Sequence, residues 1–181
     1  MKYRNKITIK NGKDCIIRNA TAEDAAEMTS FFVTALGETD YLLSYSEEHL
    51  SSEDSEREYL KNTSESKNEI ELLAIVDGKI IARAGIRALG SRYKIRHRSE
   101  LGITVSKIYW GQGIGKAIMN ACIKCAKEAG YIQLELDVVA DNTRAIELYK
   151  KFGFIEFGRN PKGFQSKYSG FQELVYMRLE L

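Results

Sequence analysis

Apolar and polar residues repeat along this chain with two different periods, and the changes of period predict an ordered series of strands and helices. A period of two predicts strands at residues 5–9, 14–18, 72–76, 80–88, 92–105, 132–139, 154–158 and 172–180. A period near 3.6 predicts helices from Thr21 to about Leu36, at 113–129 and at 142–152, and the acidic segment 47–71 is typical of a solvated helix. The pairs Asn11-Gly12 and Asp77-Gly78 predict tight turns between neighbouring strands.

The segment 92–105 carries the alternation with the clearest consequences. Its apolar face holds Tyr93, Ile95, His97, Leu101, Ile103 and Val105. Its polar face holds Arg92, Lys94, Arg96, Arg98, Glu100 and Thr104. We therefore expect Glu100 to share a basic face and His97 to lie in the core, unless a bulge resets the register.

The order of the elements predicts a mixed α/β fold. Residues 99–139 are read as strand, turn, helix and strand, and such a crossover returns the second strand parallel to the first with a right-handed connection. The other strands are joined by hairpins, which makes them antiparallel. We expect one domain over residues 1–181, with a mostly antiparallel sheet, one parallel strand pair and helices on both faces.

Composition excludes several classes of protein. Hydrophobic residues make up 44% of the 181 positions and charged residues 29%, and the net charge is only +2, which is typical of a globular protein and does not by itself indicate a nucleic-acid or membrane partner. There is no apolar run long enough to span a membrane, and because the opening residues lack the apolar core of a secretory signal we expect no leader. Three cysteines favour a reducing cytoplasm over a disulfide framework.

The metal-ligating residue types do not form a metal-binding pattern. Cys122 and Cys125 have the CxxC spacing but lie on the apolar stripe of a predicted helix, so core packing is favoured. His49 and His97 are far apart in the sequence. We expect no metal.

The charged segments leave the substrate open. The acidic residues of 47–71 are either a solvated helix face or a rim that attracts a cationic substrate. Arg83 and Arg87, with the basic residues of 92–98, are either a solvated sheet face, a site for substrate carboxylates or a surface for RNA. RNA is the least favoured because no aromatic residues interleave with the basic ones as in single-strand binders.

The most informative motif is the glycine-rich turn at residues 109–116, Tyr-Trp-Gly-Gln-Gly-Ile-Gly-Lys, between a predicted strand and a helix. Glycines allow a ligand to approach the backbone, and the first helical turn adds unpaired N–H groups and a partial positive charge, which favours phosphate. The turn lacks the spacing of a Walker loop, and Lys116 stands where a dinucleotide fingerprint has glycine. The alternative is a tight turn with a purely structural role.

Together with its neighbours, this turn resembles the GNAT N-acetyltransferase superfamily. Residues 110–115 match the pyrophosphate signature Arg/Gln-x-x-Gly-x-Gly/Ala, with Trp110 in the place of the first residue. Residues 100–105 look like the fourth core strand of that family, and residues 134–154 look like its fifth strand and the following helix. The resemblance covers about residues 100–154.

The resemblance implies that the protein binds acetyl-CoA where two parallel strands splay apart. Ile103, Thr104 and Val105 would lie along the pantetheine arm, with backbone groups offered as by an exposed strand edge. The amides of Gly111, Gln112, Gly113, Ile114, Gly115 and Lys116 would hold the pyrophosphate. Asn142 would contact the cofactor near the thioester, and it is an equally good helix N-cap.

The resemblance also implies direct attack of a primary amine on the thioester. Tyr149 matches the position of the general acid, although without the resemblance it reads as an ordinary aromatic of an amphipathic helix. Glu100 and Asp137 match positions of the general base, with a water chain as the alternative. Arg96 and Arg98 beside Glu100 would weaken it as a base, and the shorter Asp137 would act through a water.

The acceptor is expected to be a small-molecule or peptide amine, with no membrane partner and with homodimer formation left open. Acceptor selection would come from residues 30–70 and the loops near 88–93 and 159–170, which carry no diagnostic motif. A non-catalytic sensor of CoA or acyl-CoA with the same fold is the alternative function.

Overall fold

A computed structural model describes residues 1–48 and 52–181; His49 lies outside them. The strands of this part are Arg4–Thr8 (β1), Asp14–Asn19 (β2), Ile70–Val76 (β3), Lys79–Ala88 (β4), Arg98–Val105 (β5), Gln133–Val139 (β6), Ile155–Ser166 (β7) and Gly170–Glu180 (β8). The helices are Ala25–Glu38 (α1), Glu53–Glu65 (α2), Ile114–Glu128 (α3) and Thr143–Lys151 (α4). The strands form one sheet in the order β1-β2-β3-β4-β5-β6-β8-β7.

The sheet is antiparallel except at its centre. Among the described strands, β5 and β6 form the one parallel pair, and α3 is the crossover between them. Their pairing runs only from Arg98 opposite Gln133 to Glu100 opposite Glu135, after which the strands diverge. The predicted mixed sheet with a splayed parallel pair is therefore confirmed.

Helices cover both faces of the sheet, as predicted. One apolar cluster joins α3 to inward residues of the central strands, including Leu72, Ala84 and Leu134. A second cluster joins α1 and α2 to the opposite face around Leu73 and Ile80. The α1–α2 face of β4 is also partly covered, with Ile80 and Gly85 buried, Arg83 half-buried and Arg87 exposed, so strand 80–88 is more deeply buried than expected.

Local cap signals placed several helix ends correctly. The carboxylate of Asp24 accepts the Thr21 N–H at 2.8 Å, which closes a capping box before α1. Gly130 follows the C-terminal end of α3 with φ of 82°. These contacts are local, so the sequence pattern contains all the partners.

The predicted strand 92–105 is too long: β5 begins at Arg98, and residues 93–97 form turns. The physical reason lies in the partner strand, because β4 ends at Ala88 and the chain reverses between Leu89 and Arg98. No strand is left to pair with the preceding residues. His97 is consequently half-exposed and not in the core, and Tyr93 is 77% exposed.

The acidic segment 47–71 is not one solvated helix. Helix α2 ends before Ser66, whose hydroxyl accepts the N–H groups of Asn68 and Glu69, and β3 starts at Ile70. Glu71 therefore enters the sheet and is only 2% exposed. A charged residue in the sequence predicts exposure to solvent only if the fold brings no partner beside it. The prediction was wrong for Glu71 for this reason.

Residues 159–170 were expected to be a loop, and most of them belong to strands. β7 continues to Ser166 and β8 starts at Gly170, so the two form a long hairpin. The Ser166 hydroxyl donates to an Asp40 carboxylate oxygen at 2.6 Å, which ties the hairpin tip to the segment after α1.

The cysteines are packed as predicted. Cys122 and Cys125 are 0% and 1% exposed in the core, and Cys15, Cys122 and Cys125 are free thiols. In the described part of the chain, no His, Cys, Asp and Glu side chains gather in threes as a metal site would require. No helix there is both long and apolar enough to cross a membrane.

Candidate active site

A cleft of about 1290 Å³ opens where β5 and β6 separate. It is bounded by the start of α3 at one end, by α4 on one side, and by α1, α2 and the segment after α1 on the other. Of the sequence-predicted site residues, the cleft wall includes Glu100, Asp137, Tyr149 and Asn142. It also includes Ile103, Thr104, Val105, Gly111, Gly113, Gly115 and Lys116.

The β5 backbone offers hydrogen-bonding groups to this cleft. Two hydrogen bonds show which residues of β5 direct their backbone groups toward β4. The Ser106 N–H donates to the Ile81 carbonyl, and the Leu89 N–H donates to the Arg98 carbonyl. Antiparallel alternation then turns the N–H and C=O groups of Leu101, Ile103 and Val105 toward the gap, because β6 no longer pairs there.

The three predicted pantetheine contacts are therefore not equivalent. Ile103 presents both backbone groups to the cleft. Thr104 pairs with Arg83 in the register that directs its peptide groups to β4, so only its side chain reaches the cleft. The Val105 carbonyl already accepts the indole N–H of Trp110 at 2.7 Å.

The glycine turn exposes a set of amides at the start of α3. Gly111 and Gly113 have φ of 78° and 93°, a left-handed conformation that a side chain would strain. Within the described residues, the N–H groups of Gly111, Gly113, Ile114, Gly115 and Lys116 meet no protein acceptor. The Gln112 N–H makes a long bond of 3.4 Å to the Tyr109 carbonyl. Unpaired amides at a helix start favour an anion.

Trp110 and Arg144 extend this anion site, and sequence reasoning missed what both do. The indole of Trp110 ties the turn to the end of β5 through its N–H. The Arg144 guanidinium lies over the Trp110 ring at 5.5 Å from the centroid, within the range of about 6 Å of a cation–π contact. Arg144 and Lys116 both line the cleft, so they add positive charge beside the amides. The position of Arg144 in the first turn of α4 was the available signal.

Tyr149 lies on the α4 side of the cleft. Its ring packs against Phe154 with centroids 5.7 Å apart and is 9% exposed, so it is both a core aromatic and a wall residue. Its hydroxyl has no hydrogen-bond partner among the described residues. Burial, and secondarily the charge of Asp137, raises the pKa of Tyr149 to about 12, which keeps the proton on the hydroxyl at neutral pH.

Glu100 and Asp137 are exposed side chains near the point where the strands separate. The two arginines that were expected to make Glu100 a weaker base interact with other residues instead. Arg98 forms a bidentate pair with Glu135, and Arg96 stacks over the Tyr93 ring at 4.4 Å. Glu100 is thus available to a ligand, and Asp137 is close enough to Tyr149 to affect its ionisation.

Asn142 is the N-cap of α4, which is one of the two roles that the sequence predicted for it. Its Oδ1 accepts the Ala145 N–H at 3.3 Å at the start of α4. Because Asn142 also lines the cleft, its Nδ2 amide remains for a ligand. Both interpretations are compatible with this geometry.

The opposite wall holds a buried chain of charged and aromatic groups that the sequence did not indicate. Arg83 Nε donates to Glu71 at 2.8 Å, the Tyr59 hydroxyl donates to the second Glu71 oxygen at 2.9 Å, and Arg87 donates to that hydroxyl at 3.1 Å. Burial acts to lower the pKa of Arg83, but the neighbouring Glu71 raises that pKa by more, so the guanidinium stays charged.

This chain of groups also corrects the expected basic face. Arg83 is neutralised by Glu71, Arg98 by Glu135, and the basic residues of 92–96 lie on turns. The continuous basic ribbon that RNA binding would require is therefore not formed. Of the predicted basic residues, Arg87 is the one that lines the cleft without a carboxylate partner among the described residues.

Comparisons with known proteins find chains of the same family and fold. The model of the acetyltransferase (GNAT) family matches residues 37–154. A GNAT-family acetyltransferase structure from Streptococcus pneumoniae is 30% identical with a TM-score of 0.89, covering 92% of this chain and 99% of that one. The yncA structure from Salmonella typhimurium, a putative acetyltransferase with its cofactor acetyl-CoA, shares the fold at 20% identity, with a TM-score of 0.81 and 92% and 94% coverage.

A curated relative is similar over a shorter segment. The L-amino acid N-acetyltransferase AaaT of Escherichia coli K12 is 32% identical over 85 residues, which span 46% of this chain and 52% of that protein. The chain thus matches about half the length of this relative and about a quarter or less of three other curated relatives.

Proposed function

Because the chain belongs to the acetyltransferase (GNAT) family, we propose that it transfers acetyl from acetyl-CoA to a primary amine of a small molecule or peptide by direct attack. The observation that carries this proposal is the splayed cleft. It combines an unpaired β5 edge, unpaired amides at the start of α3 and the protonated Tyr149 in one space.

The residues of the cleft fit acetyl-CoA by their chemistry. The backbone of Ile103 offers the donor and acceptor that an amide-containing arm would pair with, as a strand does. The amides from Gly111 to Lys116 offer donors to a pyrophosphate, with Lys116 and Arg144 adding charge. Asn142 Nδ2 is available as a further donor.

Two protons have to be managed for the transfer. Bound acetyl-CoA supplies the thioester carbonyl that a neutral amine attacks. An alkylamine is mostly protonated at pH 7, so a carboxylate must accept a proton, and Glu100 or Asp137 can do so from the cleft wall. The Tyr149 hydroxyl holds a proton that it can give to a departing thiolate.

The names of similar proteins do not agree on an acceptor. AaaT is called an L-amino acid N-acetyltransferase, and a Brucella melitensis structure that is 25% identical is called a ribosomal-protein-alanine N-acetyltransferase. Both names describe acceptors with a primary amine, which supports the class of reaction and leaves the acceptor to be argued from the cleft.

The test measures binding and turnover separately. Acetyl-CoA at 100 times its Kd should stabilise the native state by about 2.7 kcal/mol and raise Tm, and thiol release with a panel of amines should report transfer. Acetyl-pantetheine, which lacks the pyrophosphate, is the control and should raise Tm less. A rise in Tm without thiol release for any amine would support the sensor instead, and an unchanged Tm would contradict both.

A further inference from the structure

Two glycines lie opposite each other on the cleft floor, on the face covered by α1 and α2. Gly85 of β4 pairs with Gly102 of β5, and Glu71 of β3 completes the row. Glycine weakens the interior of a strand and often marks a place where another group approaches the backbone. Each of these glycines therefore calls for a separate physical reason.

Only one of the two is explained by the protein itself. A Cβ on Gly85 would lie 2.6 Å from Glu71 Oε2, so Gly85 makes room for the buried carboxylate. A Cβ on Gly102 would meet nothing within 4 Å, and Gly102 does not have a left-handed backbone. Neither packing nor conformation accounts for Gly102, and its effect is to leave open space where the strands begin to separate.

Arg87 stands at the edge of this open floor. It pairs with Glu100 in the register of β4 and β5, so both side chains share the cleft face beside Gly102. The guanidinium is held over the Tyr59 ring at 5.1 Å and bonds the Tyr59 hydroxyl, which itself is fixed by Glu71. A positioned guanidinium of this kind has donors left for a bidentate anion.

The two arginines of this wall differ in their partners. Glu71 is satisfied by Arg83 and Tyr59. Of the two arginines on this wall, only Arg87 has no carboxylate oxygen of the described residues within 4 Å. Glu100 lies opposite Arg87 in the strand register but forms no ion pair with it, so the guanidinium is open to an anion, and an acceptor is the molecule that this wall would face.

Glu56 provides an independent indication of a ligand beyond Arg83. It is 9% exposed, lines the same cleft, and its Oε1 is buried without a hydrogen-bond partner among the described residues. A buried carboxylate oxygen without a donor is costly, so a ligand donor would satisfy it. The wall therefore lacks an anion at Arg87 and a donor at Glu56.

We propose that the acceptor is an α-amino acid, with its carboxylate on Arg87, its amine over Gly102 beside Glu100, and a side chain that ends in a hydrogen-bond donor near Glu56. The proposal rests on the proposed N-acetyltransferase function and names its acceptor class. An α-amino acid suits this floor because its amine and carboxylate are close together, as are the side chains of Glu100 and Arg87.

The first experiment compares L-amino acids with their carboxamides, in which only the anion is removed. Wild-type protein should show kcat/KM about 10- to 100-fold higher for the acids, the range of a hydrogen bond to a charged group. Serine and glutamine should exceed alanine and norleucine because of Glu56. Arg87→Met should lose the preference for acids, while Arg96→Met, which removes an arginine stacked on a tyrosine outside the cleft, should keep it.

A binding measurement complements turnover. Calorimetry of the CoA-loaded protein should detect the amino acid with wild-type and Arg96→Met, and should show it weakened about 10-fold or more with Arg87→Met. The rise of Tm with CoA should be the same in all three, which shows that folding and cofactor binding are intact.

Gly102→Val tests the floor directly. Valine favours strands and its Cβ has space, so Tm without ligand should be unchanged or higher, and the rise of Tm with CoA should persist. KM for the amino acid should rise about 10-fold or more because the space over the floor is filled.

The outcomes separate this proposal from the function on which it rests. Equal use of acids and amides, an unaltered preference in Arg87→Met, or an unchanged KM in Gly102→Val would overturn the acceptor assignment while transfer to amines persists. Absence of transfer to every amine, acids included, would overturn the function itself.

Discussion

At the scale of single residues, burial decides what each candidate group can do. Tyr149 and Tyr131 are both buried tyrosines, but the Tyr131 hydroxyl accepts a bond from Asn68 and the Tyr149 hydroxyl faces the cleft without a partner. Glu71 and Glu100 are both strand glutamates, but Glu71 is fixed by Arg83 and Glu100 is exposed. The side chain alone does not distinguish a structural group from a reactive one.

Tyr149→Phe tests the acid. Removing the hydroxyl should lower kcat by about 10²-fold or more, because proton transfer by a positioned group contributes that much. The ring contact with Phe154 remains, so Tm should change little. Thiol-release kinetics provide the measurement, and Tyr131→Phe is the matched control. A loss of kcat below threefold would remove Tyr149 from the mechanism.

Glu100→Gln and Asp137→Asn test the base. We expect Glu100→Gln to lower kcat about 10²-fold, because the amide that replaces the carboxylate cannot accept the proton of the amine. Asp137→Asn should have the smaller effect on the rate, since its charge acts on Tyr149. Thiol-release rates of the two variants at one pH distinguish the two assignments, and if neither variant loses more than a few-fold, both are wrong.

At the scale of elements, the two ends of α3 contain glycines with similar geometry and different surroundings. Gly113 precedes the helix with φ of 93° and borders the cleft, and Gly130 follows it with φ of 82° away from the cleft. Neither would place a Cβ within 4 Å of another group. Conformation alone explains Gly130, whereas Gly113 also directs amides toward the anion site.

Gly113→Ala and Gly130→Ala separate these two roles. Each variant should lose roughly 1–2 kcal/mol of stability from the left-handed backbone. Only Gly113→Ala should also weaken acetyl-CoA, about 10-fold, because reorienting the turn displaces donors from the pyrophosphate. Denaturant unfolding and a titration of Tm with acetyl-CoA give the two quantities. Equal weakening in both variants would contradict an anion site at this helix end.

At the scale of the whole molecule, a continuous sheet that parts at its centre places the site. The antiparallel strands on either side hold β5 and β6 in place, so the gap between them persists without their mutual hydrogen bonds. The core beneath α3 buries ionisable thiols and Tyr149 together. This burial gives the native state a measurable dependence on pH.

Stability should fall above about pH 9. Burial raises the pKa of Cys125 to about 11 and of Tyr149 to about 12, and it raises the pKa of Cys122 as well. The unfolded chain releases these protons at lower pH than the native state does, so unfolding becomes easier as pH rises. The loss is about 1.4 kcal/mol per pH unit for each group, between its pKa in the unfolded chain, about 8.5 for Cys and about 10 for Tyr, and its higher native pKa. This stabilising contribution is complete below pH 8.

Urea unfolding under reducing conditions at pH 8, 9.5 and 10.5 measures the slope. Cys125→Ala should lower stability at pH 8 because it leaves a cavity, but its further loss toward pH 10.5 should be shallower than that of the unaltered protein. Parallel losses in the two proteins would show that Cys125 ionises as readily in the native state as in the unfolded chain.

The sequence by itself determined the features whose partners lie within a few residues. Local geometry and the hydrophobic period account for four such features: the capping box at Thr21, the N-cap at Asn142, the left-handed glycines at the ends of α3 and the buried stripe with Cys122. The parallel pair also followed, because the order of strand, helix and strand restricts the connection. The glycine motif with its flanking segments was specific enough to indicate the family.

Only the tertiary structure decided the features that depend on distant partners. The end of β4 sets the residue at which β5 begins. Arg83, twelve residues away, and Tyr59, on a separate helix, are the partners that allow Glu71 to be buried. Pairing across strands also places Arg87, which has no carboxylate partner among the described residues, and the open space at Gly102 side by side. Periodicity encodes which face a residue occupies, but the energy of a charge in the sheet depends on which groups the fold brings beside it.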